Sequence, residues 1–275
     1  NPGGSIAVYQ WDFGDGTTNT GVTVQHTYSN VGAYDVTLEV LSADGPRSWA
    51  TQEVEVAGLQ IQWQRFYGAG SYGVSGVVEA PDGGFVLAGQ TGDSSVANPQ
   101  LWVFKVDRRG LPLWEKFYDG PRRGTEYTRA LTRGADGGYA IAGEFYASLA
   151  SDAFLLKVDE TGEPAWPMKL FGETNGLNEQ ARAIAPTTDG GYFLAGENDS
   201  ILPMLIRTDA DGNELWTRHY EMENGRRADR VLATPDGGAL FFARANSYRH
   251  WFIKTDPSGI PVWTNVLNYR DSCYW

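Results

Sequence analysis

The chain is poor in the residues that most often build reaction centres. A single cysteine, Cys273, occurs in 275 residues, so an internal disulfide is excluded. Three histidines, His26, His219 and His250, are scattered without a metal-ligand spacing. No Gly-x-Ser-x-Gly segment, Walker loop or dinucleotide fingerprint is present. Positive charge is also scarce. Lys and Arg number 22 against 34 Asp and Glu, a net charge of −12, which excludes nonspecific attraction to nucleic acid or an anionic membrane. No apolar run approaches a membrane span, and no segment sustains a helical period. Glycine is plentiful at 34 residues, and aromatics reach 13% with ten tryptophans. That mixture predicts many short strands joined by tight turns.

Residues 1–58 read as a small antiparallel sandwich. Val36, Leu38 and Val40 alternate with Thr37 and Glu39, and Val54 and Val56 repeat the pattern. Gly14, Asp15 and Gly16 are turn formers. The segment Tyr9-Gln-Trp-Asp-Phe-Gly-Asp-Gly16, then His26-Thr-Tyr28, then the strand Gly32–Val40 resemble the PKD domain in content and order. The resemblance implies an immunoglobulin-like β-sandwich of a kind common in prokaryotic surface proteins and secreted enzymes. Only eight residues precede Tyr9, so the sandwich is expected to be incomplete at its N-terminal side. Asp12 and Asp15 are expected to cap turns, and His26 to pack and hydrogen-bond.

Residues 59–275 are a repeat. Asp-Gly-Gly recurs at 82–84, 136–138, 189–191 and 236–238. Asp-x-x-Gly recurs from Asp107, Asp159, Asp209 and Asp256, each followed by a tryptophan: Trp114, Trp166, Trp216 and Trp263. Asp-Gly between alternating runs signals a hairpin, and four strand-like runs per unit of about 50 residues describe a propeller blade. The units resemble secreted bacterial and archaeal repeats of the form DGGYxxAG…KxDxxGxxxW, which implies a β-propeller. Ile61–Tyr67 matches the outer strand of a unit, compared with Leu113–Tyr118. The expected fold is therefore all-β: a partial PKD-like sandwich, then an incomplete propeller of four four-stranded blades plus one outer strand. The four tryptophans are expected at equivalent, mostly buried positions. Open edges at both ends are expected to be covered by residues outside the sequence or by another chain.

Candidate chemistry is sparse. Arg129, Arg182 and Arg230 open the first strands of units two to four, with Glu126, Glu179 and Asp229 close by in sequence. First strands line the axis of a propeller. These arginines are candidates for an anionic ligand such as a uronic or sialic acid, or for salt bridges that fix the ring. Asn198-Asp-Ser200 is a candidate N-glycosylation site. No cofactor and no metal site are expected. The resulting expectation is a non-enzymatic extracellular or cell-surface protein, structural or adhesive, such as a subunit of a surface layer, sheath or filament. Its expected partners are chains of the same type, a cell-surface assembly, or glycans, with no nucleic acid and no membrane insertion. The alternative is a glycan-binding or glycan-active secreted protein whose catalytic part lies outside this segment.

Overall fold

In the computed structural model the described residues are 6–42, 47–56, 63–67, 72–92, 99–147, 150–172, 178–198, 202–223, 226–246 and 249–268. Among them there are twenty strands in five four-stranded antiparallel sheets and no helix. The chain divides into two units, 1–64 and 65–275.

The first unit holds β1 (Ile6–Asp12), β2 (Thr18–Thr20), β3 (Gly32–Ser42) and β4 (Arg47–Val56), in the order β2-β1-β3-β4. The turn after β1 is built by its own carboxylates. Asp12 accepts the N–H of Gly14 at 3.0 Å, and Asp15 accepts both the N–H and the hydroxyl of Thr17. His26 meets Asp15 at 2.7 Å and stacks on the buried Phe13. Tyr28 packs edge-on to His26 and donates its hydroxyl to the Phe13 carbonyl. Gly14 has φ of 75°, and a Cβ there would lie 2.9 Å from the backbone of Asp35. The motif residues thus form one small aromatic stack under one capped turn. Residues 1–5 lie outside the described residues.

The second unit has four sheets. Blade one is β5 (Tyr72–Glu79), β6 (Phe85–Thr91), β7 (Leu101–Val106) and β8 (Pro112–Tyr118). Blade two is β9 (Thr125–Arg133), β10 (Tyr139–Ala147), β11 (Ala150–Val158) and β12 (Lys169–Phe171). Blade three is β13 (Glu179–Pro186), β14 (Tyr192–Asn198), β15 (Pro203–Thr208) and β16 (Glu214–His219). Blade four is β17 (Arg227–Ala233), β18 (Ala239–Asn246), β19 (Arg249–Thr255) and β20 (Pro261–Asn268). Each is a four-stranded meander, and the first strands pack in chain order, β5 on β9, β9 on β13, β13 on β17. This is the propeller arrangement.

The core lies between blades, not within a layer. On β10, Tyr139 and Ile141 join the cluster shared with blade one, while Ala140 and Ala142 join the cluster shared with blade three. Both faces of a middle strand are therefore buried, which is why β7 and β15 are continuous runs of buried residues. The two outermost faces of the arc are open. Val77 occupies the position of Val231 in the register but is 61% exposed, against 6% for Val231. Leu232 of blade four is 64% exposed, against 5% for Ala185 at the same position of blade three.

The repeated motifs are the joints of this arrangement. In Asp-Gly-Gly the aspartate receives the amine or guanidinium of the third strand: Lys105 on Asp82, Lys157 on Asp136, Arg207 on Asp189 and Lys254 on Asp236, at 2.5–2.9 Å. A Cβ on the second glycine would strike the end of the third strand, 2.2 Å from the Val106 carbonyl at Gly84 and 2.0 Å from that of Thr255 at Gly238. In Asp-x-x-Gly one carboxylate oxygen accepts two backbone N–H groups, as Asp107 does from Arg109 and Leu111 at 2.8 Å.

The outer strand of each blade then clasps the Asp-x-x-Gly turn of the next. Trp114 Nε1 donates to the Glu160 carbonyl and Trp216 Nε1 to that of Pro257, both at 3.2 Å. Tyr118 donates its hydroxyl to the Gly162 carbonyl, and Tyr220 to that of Gly259. Lys116 pairs with Glu163, and Arg218 donates to the Ser258 carbonyl. The expected outer strand Ile61–Tyr67 is described only from Trp63 and is not in a strand there. Its Arg65 and Tyr67 nevertheless make the same bonds to the turn of blade one, at the Arg109 and Gly110 carbonyls. Trp114, Trp166 and Trp216 are partly buried, and Trp263 is 43% exposed, so the expected burial fails at Trp263. All four stand at the rim, where one ring edge faces solvent.

Two outcomes follow from these joints. Trp216→Ala removes a clasp and is expected to destabilise by about 2–3 kcal/mol, below the cost of a fully enclosed tryptophan, while Trp263→Ala costs much less. Equal losses in denaturant unfolding would contradict the clasp. The second concerns acid. The Thr187 hydroxyl and the Arg207 guanidinium hold Asp189 down at about 2. Its contribution to stability is therefore present above the unfolded value near 4 and is lost as pH falls from about 4 through 2. The stability gap between wild type and Asp189→Asn should shrink over that window in pH-dependent denaturation.

Candidate functional site

The first strand of every blade carries a β-bulge at one register position. Ser75, Arg129, Arg182 and Asp229 are the extra residues, lying between Val74 and Gly76, Thr128 and Ala130, Ala181 and Ala183, and Ala228 and Arg230. Opposite the bulge the second strand has Gly89, Gly143, Gly196 or Ala243. At the glycines there is no room for more: a Cβ would lie 1.6–2.0 Å from a carbonyl of the first strand. A bulge turns its extra side chain out of the ladder. The residue after the glycine or alanine stands beside it on the next strand.

The corresponding positions hold Ser75 and Gln90, Arg129 and Glu144, Arg182 and Glu197, and Asp229 and Arg244. Three are ion pairs: Arg129–Glu144 at 2.5 Å, Arg182–Glu197 at 2.6 Å and Arg244–Asp229 at 3.1 Å. Arg227 adds a second guanidinium to Asp229 at 2.9 Å. Blade four reverses the order of charges in the chain but not in space. The carboxylate side chains are 9%, 18% and 14% exposed, whereas the guanidinium-bearing ones are 39%, 23%, 47% and 31% exposed for Arg129, Arg182, Arg244 and Arg227. In blades two and four the arginine is clearly the more exposed partner, and in blade three the two are nearly equal. Blade one has no charge here, and Ser75 instead donates to the Thr128 carbonyl of blade two at 2.7 Å.

Such a set can do one thing well. A guanidinium has five N–H donors in a rigid plane, and the backing carboxylate uses only some of them. Arg182 gives a further one to the Gln180 side-chain oxygen at 3.0 Å, and a donor left over suits an oxyanion. Desolvated carboxylates fix the arginines in place, and removing one partner would leave a buried charge unpaired.

The sequence expectation placed Arg129, Arg182 and Arg230 together, beside Glu126, Glu179 and Asp229. The structure keeps Arg129 and Arg182 and drops Arg230. Arg230 sits one residue past the bulge, where the other blades have Gly76, Ala130 and Ala183, and its exposed guanidinium donates to the Asp229 carbonyl. The equivalent residue in blade four is Asp229, and the missing cation is Arg244 on the next strand. Glu126 is not the partner of Arg129. Its carboxylate accepts the Gly120 N–H at 2.7 Å, and burial pushes it above the usual carboxylate range. Glu179 is likewise buried and faces Gly172, with Oε2 3.0 Å from the position of a Cβ there. The readable signal was Ala-Gly-Glu at 142–144 and 195–197, against Ala-Gly-Gln at 88–90 and Phe-Ala-Arg at 242–244.

Asn198 ends β14. Its side-chain oxygen accepts the N–H of Leu202 at 3.2 Å, and residues 199–201 of the sequon lie outside the described residues. Among the described residues no group of three or more His, Cys, Asp or Glu side chains is placed to hold a metal ion.

Residues 1–57 match the PKD domain family. A protein named microbial collagenase from Vibrio alginolyticus is 39% identical over 59 residues, 22% of this chain and 7% of that protein. Similar solved structures include a GH43 beta 1,3 galactosidase, 14% identical, covering 88% of this chain and 58% of that one with a TM-score of 0.49. Another is an alpha-L-arabinanase from Penicillium chrysogenum, 10% identical over 83% of this chain and 76% of that one, TM-score 0.46. The expectation that the chain is not an enzyme is corrected by this outcome, because several of the similar structures are named a galactosidase or an arabinanase. In a propeller, neighbouring groups come from different blades and leave no local spacing to find.

Proposed function

We propose that this is a secreted glycan-binding or glycan-active protein whose axial arginines receive a sugar bearing a carboxylate. The observation that carries the reading is the set of three ion pairs at one register position. In blades two and four the guanidinium is clearly the more exposed partner, whichever strand supplies it, and in blade three the two partners are nearly equal. In a chain of net charge −12 this is a local concentration of hydrogen-bond donors for an anion. A uronic or sialic acid offers the planar carboxylate that such donors fit, and hydroxyls that Ser75 and Gln90 of the uncharged blade can meet. The PKD match at residues 1–57 supports a secreted setting, and no helix among the described residues is long and apolar enough to cross a membrane.

The test is calorimetric titration of the whole chain with oligogalacturonate and with a neutral oligosaccharide of the same length. Binding should favour the acidic ligand and weaken with salt. Arg129→Gln and Arg182→Gln should each weaken it by about tenfold or more, the cost of one charged hydrogen bond. Equal binding of both ligands, or unchanged affinity in both variants, would sink the proposal.

A further inference from the structure

The sheet of the first unit has two unlike edges. In the order β2-β1-β3-β4, β2 is three residues long, whereas β4 runs for ten, Arg47–Val56. Every residue of β4 from Arg47 to Glu55 is exposed, and the strand contains no proline and no lysine. Its outer side offers a row of backbone N–H and C=O groups, the kind of edge on which another strand pairs. The ladder with β3 fixes which side chains share a face. Arg47, Trp49, Thr51, Glu53 and Glu55 lie on one face, opposite Leu41, Glu39, Thr37, Asp35 and Ala33. Trp49 is 72% exposed there. Charge on this face is unevenly placed. Glu53 stands directly opposite Asp35, with Glu55 next along the face, and among the described residues no cation forms an ion pair with any of the three. Like charges directly opposite destabilise a ladder. The one cation of the strand, Arg47, is at its other end, where it reaches Glu39 at 3.1 Å and keeps most of its side chain in solvent.

We propose that β4 is a self-association edge, on which β4 of a second copy pairs antiparallel about a two-fold axis through Thr51. Each residue then meets the one equally far from Thr51 on the other copy. Arg47 falls opposite Glu55 with Glu53 on the diagonal, Trp49 falls opposite Glu53, and Thr51 meets its own copy. The arginine of each chain thus supplies the cation that the acidic end of the other lacks, and it does so twice in the dimer. Opposite charges and threonine pairs at facing positions both favour a ladder. The charges also select this arrangement against others. Parallel pairing in register sets glutamate on glutamate, and sliding the antiparallel register by two residues leaves Glu55 or Arg47 beyond the end of the partner strand. Such an interface is isologous and closes after two chains, because the joined sheet then ends on the short β2 strand at both sides. The surface belongs to the first unit and uses none of the axial arginines.

The experiment is sedimentation velocity of the whole chain across the micromolar range, where monomer should give way to dimer as concentration rises. Arg47→Glu and Glu55→Arg should each weaken self-association by about tenfold or more, because either change sets like charges opposite each other at both ends of the interface. An equimolar mixture of the two variants should recover the dimer, since each facing pair is then of opposite sign. Misfolded variants could not give that recovery. The register is read by oxidation in a Cys273→Ser background. Thr51→Cys should form a disulfide-linked dimer, its two copies facing each other with Cα atoms about 5 Å apart. Trp49→Cys, about 14 Å from its own copy, should not. A chain that stays monomeric throughout, association unchanged in both charge variants, a mixture no stronger than its parts, or linkage at 49 in preference to 51 would overturn the proposal.

Discussion

The glycine of each Asp-x-x-Gly turn is the point on which the joined blades depend. It takes a positive φ, between 72° and 83° in the four turns, and it has no Cβ. The tryptophan of the preceding blade lies where that Cβ would be, 2.6–3.1 Å from its position at Gly162, Gly212 and Gly259. Its carbonyl takes the hydroxyl of Tyr67, Tyr118 or Tyr220. A larger residue would strain the turn and push the ring away at once. The variation between blades is consistent with this. Blade two has Phe171 where blades one and three have Tyr118 and Tyr220, and there Lys169 reaches Asn213 and lies over the Trp166 ring.

Because the outer strands are clasped at the rim, the inner strands can carry irregularity without loosening the sheet. The bulge interrupts the ladder at one residue in each blade. A short carboxylate can sit close to the backbone there, while the long arginine stem carries its charge outward. The steric and solvation requirements are met equally by Arg129 with Glu144 and by Asp229 with Arg244. Chain order is thus free to change while the presented group stays the same.

Repetition marks the scaffold. Lys105, Lys157, Arg207 and Lys254 do the same work in every blade, and their ion pairs with the hairpin aspartates belong to it. Ser75 and Gln90 remove charge from one blade, and Ser75 there ties blade one to blade two through the Thr128 carbonyl instead.

By itself the sequence determined the class of fold. Alternation of period two, Asp-Gly hairpins and a tryptophan every 50 residues or so require four-stranded units, and WDFGDG with His26-Thr-Tyr28 requires the capped turn and aromatic stack seen in the first unit. These are local demands of turn geometry and side-chain alternation, so they are legible residue by residue. The partners of the axial arginines were not. Matching by residue type aligned Arg230 with Arg129, although Asp229, which precedes its Asp-Gly-Gly by the same interval as Arg129 and Arg182, is the equivalent, and the cation that meets it comes from the next strand. Only the tertiary structure decides which side chains meet, since strand pairing and blade packing bring together groups whose sequence spacing carries no trace of the contact.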